Sequence, residues 1–295
     1  MDPHLLRTYV TVARLASFSG AARELGYTQS AVSQHIAALE ADLGLPLLTR
    51  RPVAPTPAGE RLLEHAGALL LRIDAARADL DRFAAAPRAT LTVAASPLAL
   101  HPRVLAALPA TGVTLRALDR DRVPAAVATG EADAGLVDGV AAPSDPLRLP
   151  DVAPLAATRV AEEPLAVVLP AGHPLAGRSG LRLTDLVDAR WLDAPAAGVA
   201  LDRLRAVHGG PAGRGFRTAL RYEGADPRAV VALSAAGHGL ALLPHPVTEG
   251  VPGAVAVPLV SPRLVHRTEL LLPTAPAGQA ERGGRLGEFT HRLRG

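Results

Sequence analysis

The chain has 295 residues, nearly half of them hydrophobic, and a formal net charge of only +3. That length allows a sizeable core and one large or two smaller domains. It has no cysteine, and all 31 basic residues are arginine; this excludes disulfides, thiol nucleophiles, cysteine zinc sites, a lysine phosphate loop and Schiff-base chemistry.

No apolar run is long enough to span a bilayer. Asp2 and Arg7 stand near the start with no long apolar stretch, so no secretory leader is expected. The expectation is a soluble cytoplasmic chain with no membrane partner.

Leu5, Leu6, Tyr9, Val10, Val12 and Ala13 recur at helical spacing and predict a first helix ending near Ser17. A second short helix fits residues 19–25, with Ser19 as its cap and Gly26 as its stop. Thr28 caps a third, in which Val32, Ile36, Leu39 and Leu43 form one buried stripe. Gln29, Ser30, Ser33, Gln34 and His35 mostly face away from that stripe, and Gly44 and Pro46 end the helix. Two short helices joined through Gly, the second presenting Gln and Ser, suit a reader of the DNA major groove. Taken alone, the third helix is equally an amphipathic helix with a solvated polar face.

The longer string is more specific. Ser17-Phe18-Ser19, Ala21-Ala22 with Leu25, Gln29-Ser30-Ala31-Val32-Ser33-Gln34, Leu39-Glu40, Leu43-Gly44 and Thr56-Pro57-Ala58-Gly59 together resemble the LysR family of transcriptional regulators. The resemblance implies a winged helix-turn-helix over residues 1–56 that binds double-stranded DNA. Its recognition helix would carry Thr28, Gln29, Ser30, Ser33, Gln34 and His35, and a wing would begin at Arg50 and Arg51. Two departures stand out. The wing, residues 50–55, is short and Pro-rich, and His35 replaces a more usual neutral residue. Residues 1–56 hold five Arg against four acids, so modest non-specific affinity is expected.

Thr56 can cap a long helix and Pro57 suits its first turn. Leu62, Ala66, Leu69, Ile73, Ala76, Leu80 and Phe83 then follow at spacings of 4 and 3 in strict alternation. From residue 57 to about 85 the helix would run roughly 40 Å. A heptad stripe of that length calls for a partner helix, or else packs on its own domain. The resemblance implies a linker and dimerisation helix, 57–87, in a homodimer or homotetramer.

Beyond residue 88, strand-like runs at 90–95, 113–118, 134–137, 165–169, 239–243, 255–259 and 268–272 alternate with helical segments at 102–108, 123–129, 199–207 and 227–236. Alternation of this kind predicts doubly wound parallel sheets. Gly130-Glu131-Ala132-Asp133, Leu169-Pro170 with His173-Pro174-Leu175, and Ala236-Gly237-His238-Gly239-Leu240 before Leu243-Pro244 extend the LysR resemblance. It implies an α/β effector domain, 88–295, similar to periplasmic binding proteins. Subdomain I would comprise 88–160 and 264–295, and subdomain II 161–263, with a small-molecule effector of unidentified structure between them.

Ligands in open α/β sheets bind beyond the carboxyl ends of strands. Ser96, after the first strand, is therefore the first cleft candidate, although a Ser before Pro97 also fits a plain turn. Arg122, after the second strand, could grip a carboxylate in bidentate fashion or be an ordinary surface Arg. Asp193, at the end of a strand in the other subdomain, is the third candidate. His238 and His245 lack a metal-ligand pattern, no nucleophile-elbow or dinucleotide motif is present, and neither catalytic residues, metal nor cofactor is expected. The chain reads as a regulator and not an enzyme.

Overall fold

A computed structural model describes residues 1–84, 89–208, 215–274 and 284–294, with backbone alone for 83, 84, 207, 208 and 294. The chain divides into two compact units, Met1–Ala84 and Ala85–Gly295.

The first unit opens with α1 (Pro3–Leu15), α2 (Phe18–Leu25) and α3 (Gln29–Leu43). Ser17, not Ser19, caps α2. Its backbone is extended and its hydroxyl accepts from Gly20 N–H at 3.0 Å, while Ser19 already lies in the first turn. Thr28 caps α3 by accepting from Ala31 N–H at 3.2 Å; such a cap contributes about 1 kcal/mol. Both helices end on glycines at φ +70°, Gly26 and Gly44, a conformation a Cβ would strain.

The core of this unit joins Leu6, Tyr9 and Val12 of α1 to Ala21 and Ala22 of α2 and to Val32, Ile36 and Leu39 of α3. Leu43, expected in the buried stripe, is 37% exposed. The core has ended one turn earlier, and Leu47, just before the next strand, and Leu48, its first residue, join the same core. Strands β1 (Leu48–Arg50) and β2 (Val53–Pro55) form the antiparallel wing. Glu40 ties it to α3, because its carboxylate accepts from Leu47 N–H at 2.7 Å and Leu48 N–H at 3.2 Å.

Helix α4 (Pro57–Ala84) follows. Thr56 anchors its start: its hydroxyl donates to Pro46 O, its N–H donates to Leu47 O, and the same hydroxyl accepts from Gly59 N–H. Of the predicted stripe, Ala66 is buried and Leu62 is packed against this unit's core, whereas Leu69 is 39% and Leu80 69% exposed. Ile73 is half-buried and Ala76 exposed. The face that packs at home instead continues through Leu63 and Leu70. The predicted end of the linker, 85–87, and the Phe83 side chain lie outside the described residues.

The second unit contains β3 (Leu91–Ala95), α5 (Pro102–Ala107), β4 (Val113–Ala117), α6 (Val123–Ala128), β5 (Ala134–Ala141) and β6 (Leu155–Pro170). After them come β7 (Leu181–Arg182), β8 (Arg190–Asp193), α7 (Leu201–His208), β9 (Arg217–Arg221) and α8 (Pro227–Ala235). The unit closes with β10 (Ala241–Pro244), β11 (Ala254–Ser261), β12 (Val265–Pro273) and α9 (Gly284–Arg294). Most predicted strands and helices recur within a few residues, but β6 begins ten residues before the expected run at 165–169, β7 and β9 have no counterpart among the expected runs, and the sheet is not all parallel. Its order is β4-β3-β5-β12-β6-β11-β7, with β10 also on β6. β3 runs parallel to β4 and β5, whereas β12 is antiparallel to both β5 and β6. The chain crosses between subdomains on long strands, and each return crossing must run the opposite way.

β6 makes this plain. Its residues up to Pro164 pair with β12, and from Leu165 onward it pairs with β10 on one edge and β11 on the other. The predicted boundary at 160–161 falls a few residues before this change of partners. One subdomain is built on Leu91, Val93, Leu136, Leu270, Phe289 and Leu293, the last two from α9. The other packs Leu165, Val167 and Leu169 against Trp191, Phe216 and Leu242. Among the described residues no helix is long and apolar enough to cross a membrane.

Candidate nucleic-acid interface and ligand cavity

Burying Val32, Ile36 and Leu39 turns the opposite face of α3 outward. Thr28, Gln29, Ser30 and Gln34 are exposed and Ser33 is half-buried beside them. The Ser30 hydroxyl lies 2.9 Å from that of Thr28, so these two groups share protons while Gln29 and Gln34 extend into solvent. An exposed Gln offers one donor and one acceptor in a plane, the pairing that fits the adenine edge.

His35 is placed differently. Its Nδ1 is 3.1 Å from the Thr8 hydroxyl on α1, and its ring meets Tyr27 edge-on at 5.1 Å. Thr8 spends its single proton on the carbonyl of His4 at 2.9 Å. The His35 Nδ1 must therefore be the donor, which fixes the tautomer and leaves Nε2 as an acceptor. The wing arginines also differ from one another: the guanidinium of Arg50 sits 5.3 Å over the Phe18 ring, whereas Arg51 is exposed at the tip.

Charge on this unit is further reduced by pairing. Arg7 makes a two-pronged ion pair with Asp74 at 2.7 and 2.9 Å, and Arg14 pairs with Glu24. Among the described residues, Arg23, Arg50 and Arg51 are the arginines of the first 56 without a carboxylate partner. Below the surface, Tyr9 is fully buried and its hydroxyl has no hydrogen-bond partner. Burial, then the charges of Glu60 and Glu40, push its phenol up to about 12.

The second unit holds a cavity of about 400 Å³ between its subdomains. One side is formed by Ser96-Pro97-Leu98, the 119–121 turn, and Asp138, Gly139 and Val140 of β5; the other by residues 195, 196 and 198–200 with Arg203 of α7. Ser96 is thus a lining residue. It is 1% exposed, and its hydroxyl accepts from Asp138 N–H at 3.0 Å. Arg122 and Asp193 do not line the cavity. Arg122 is the exposed last residue of a tight turn, Arg120–Arg122, whose side chains diverge, and it is Arg120 that turns inward. Asp193 instead accepts from Leu201 N–H at 3.3 Å and pairs with Arg221 at 2.8 Å. It thereby fixes the start of α7, and the loop after it supplies the wall.

Sequence reasoning missed the charged groups around the cavity. Arg120 donates to the carbonyls of Asp138 and Arg148. Burial, and then the charge of Arg203, push its guanidinium below the ordinary range. His266, 1% exposed, donates from Nε2 to Asp138 Oδ2 at 3.1 Å. Burial would raise the Asp138 carboxyl. The hydrogen bond and charge of His266, the Ser96 hydroxyl and Arg120 outweigh burial and hold it below the ordinary carboxylate value. Behind His266 lies Glu163, 3.9 Å from Nδ1 and bonded to His101. His101 Nδ1 accepts from Arg103 N–H, so its Nε2–H is the donor to Glu163. A signal for this cluster existed: Asp138 interrupts an apolar strand, and His266-Arg267-Thr268-Glu269 precedes a Leu run while all four are buried. Among the described residues no cluster of three or more potential ligands could hold a metal ion.

The comparisons with known proteins agree with both halves of the chain. Residues 3–60 match the family described as bacterial regulatory helix-turn-helix protein, lysR family, and residues 84–279 match the LysR substrate binding domain. A probable hydrogen peroxide-inducible genes activator of Mycobacterium avium is 38% identical over 193 residues. That alignment covers 62% of this chain and 59% of the relative, less than two thirds of its length. The HTH-type transcriptional regulator BudR of Raoultella terrigena is 31% identical over 260 residues, 84% of this chain and 86% of the relative. Full-length CbnR, solved in complex with its target DNA, superposes over 100% of this chain and 99% of its own at 23% identity and a TM-score of 0.53; that likeness concerns the fold. The chain belongs to the LysR family of bacterial helix-turn-helix transcriptional regulators, with the family's substrate-binding domain following its DNA-binding domain.

Proposed function

We propose that this chain is a cytoplasmic, sequence-specific DNA-binding regulator of transcription and not an enzyme. Its α3 enters the major groove, and Gln29, Ser30, Ser33 and Gln34 read base edges there. Thr28 and the wing residues Arg50 and Arg51 contact the backbone. The observation that carries this reading is the division of α3: three apolar side chains are sealed in the core while Gln29, Ser30 and Gln34 stand free in solvent. His35 contributes at most its Nε2, since the rest of its ring is held by Thr8 and Tyr27.

The chain pairs with a second copy through α4, where Leu69, Ile73, Ala76 and Leu80 lie on one stripe whose outer members are exposed. Two recognition helices then address two half-sites about one helical turn apart. Ligand in the cavity of the second unit favours one arrangement of its subdomains over another and so alters the readout. With no cysteine in the chain, a response to peroxide through thiol oxidation is closed to it, whatever signal the M. avium relative answers.

Selection from random duplexes with the full chain tests the proposal. Enrichment of a two-fold-related motif with half-sites about one turn apart is the expected result. Recovery of unrelated sequences in proportion to input would count against it.

A further inference from the structure

Within the reading of the cavity as the effector site, its charges have an uneven account. Arg120 comes from one subdomain and Arg203 from the other, and both line the same space. Arg120 is held by two neutral backbone carbonyls. Its ion-pair partner, Asp121, is 3.5 Å away and 80% exposed, so that pairing is screened by solvent, while the charges of Asp138 and Glu269 also act on it. Among the described residues the Arg203 side chain, which is exposed, has neither a hydrogen-bond nor an ion-pair partner. Asp138, the buried carboxylate of the wall, is already engaged by His266. Asp119 stands exposed at the rim. Two guanidiniums thus face one cavity whose buried carboxylate, Asp138, is shared between Arg120 and His266, and the charge of Arg203 opposes that of Arg120.

The remaining wall is aliphatic and short. Pro97, Leu98, Val140, Pro195, Val199 and Ala200 contribute, and among the described residues no Phe, Tyr or Trp does. The volume of about 400 Å³ is at the small end of ligand sites.

We infer that the ligand is a small organic carboxylate with an aliphatic body, its carboxylate bound between Arg120 and Arg203 and its chain against the aliphatic wall. A guanidinium matches a carboxylate in charge and in fork geometry. Because the two arginines belong to different subdomains, the anion binds best when both can reach it. That supplies the unequal affinity for two arrangements that a switch requires.

The test uses the full chain, with adipate and pentanoate as probes and adipamide and pentanamide as their neutral counterparts. The acids should raise the melting temperature and the amides should not. Arg203→Gln should weaken acid binding about ten- to a hundredfold, the loss expected for hydrogen bonds to a charged group. Arg203 is exposed and unpartnered, so the ligand-free variant should melt no lower than the parent, with any gain shrinking as salt rises. Ala200→Trp, which fills the cavity, separates the two levels of the claim. If Ala200→Trp abolishes binding and Arg203→Gln does not, the cavity stands as the ligand site and the anion inference falls. If acids stabilise Ala200→Trp as they do the parent, the cavity reading itself falls. Equal stabilisation by amides, no stabilisation by either acid, or a salt-independent loss of stability in ligand-free Arg203→Gln would each overturn the inference.

Discussion

Two glycines of α4 give opposite predictions from one helix. A Cβ at Gly59 would lie 2.2 Å from the carbonyl oxygen of Leu47 and 2.5 Å from the hydroxyl of Tyr9, whereas a Cβ at Gly67 would meet nothing within 4 Å. The Leu47 carbonyl is backbone, accepts from Thr56 N–H at 2.9 Å, and sits where Glu40 ties the wing to α3. It cannot retreat by more than an ångström without breaking that bond. Overpacking costs about 1–3 kcal/mol and the lost bond about 1, while Ala regains about 1 through helix propensity. Gly59→Ala should therefore destabilise the first unit by about 1–3 kcal/mol, and Gly67→Ala should stabilise it by about 1 kcal/mol. Urea unfolding followed by helical circular dichroism reads both units, and fluorescence of Trp191, the sole tryptophan, reads the second alone, so a change seen only in the dichroism belongs to the first. The reasoning is refuted if Gly59→Ala is as stable as Gly67→Ala.

Tyr9→Phe removes a buried hydroxyl that has no partner and should leave stability unchanged or raise it by up to about 1 kcal/mol. Because the Tyr9 phenol is raised to about 12, the unfolded chain ionises first. Stability present below about pH 10 is then lost as the pH rises towards 12, and Tyr9→Phe should flatten that limb of a pH–stability curve. An unaltered alkaline limb would contradict this. Asp138 has the opposite sign: its carboxyl is lowered, so it stabilises the fold above the ordinary carboxylate range and loses that effect as acid protonates it. Asp138→Asn should cost about 1–3 kcal/mol at neutral pH and soften acid unfolding; an acid midpoint equal to the parent's would argue otherwise. Leu69→Arg should halve the sedimentation mass of a dimer, and an unchanged mass would remove α4 as the contact. The three arginines of the first 56 residues without a carboxylate partner, Arg23, Arg50 and Arg51, predict a log K against log salt slope for non-specific DNA no steeper than about −5 for a dimer. A slope near −10 would show phosphate contacts the structure does not supply.

What could be read in the sequence follows from the range of the interactions involved. The helix-turn-helix was legible because its signals are local: Thr28 caps, Gly26 and Gly44 stop, and the apolar stripe repeats within one helix. Ser17 was displaced by Ser19 as the expected cap because both fit locally and only the backbone angle of Ser17 decides. The α9 helix escaped notice, since Leu286, Phe289 and Leu293 give too thin a stripe until the sheet beneath them is known. The antiparallel crossings were invisible for a related reason, as β6 and β12 read as ordinary apolar strands whatever their direction.

The cavity was the least legible part. Ser96 was placed by the rule that ligands sit beyond strand ends, and it does line the cavity. That rule could not tell Arg120 from Arg122, two residues apart in one tight turn. His266 and Glu163 lie far from Asp138 in sequence and meet only through strand register, His266 standing opposite both Val140 and Glu163. The heptad of α4 divides in the structure: its first members belong to the domain's own core and its exposed members begin at Leu69.

The most direct test of the DNA-reading face of α3 is the binding of Gln29→Ala with Ser33→Ala to a duplex selected by the parent, measured beside a scrambled duplex at the same salt. The double variant should keep the parent's affinity for the scrambled duplex and lose about ten- to a hundredfold on the selected one. Undiminished discrimination between the two duplexes would contradict the assignment of base reading to this helix.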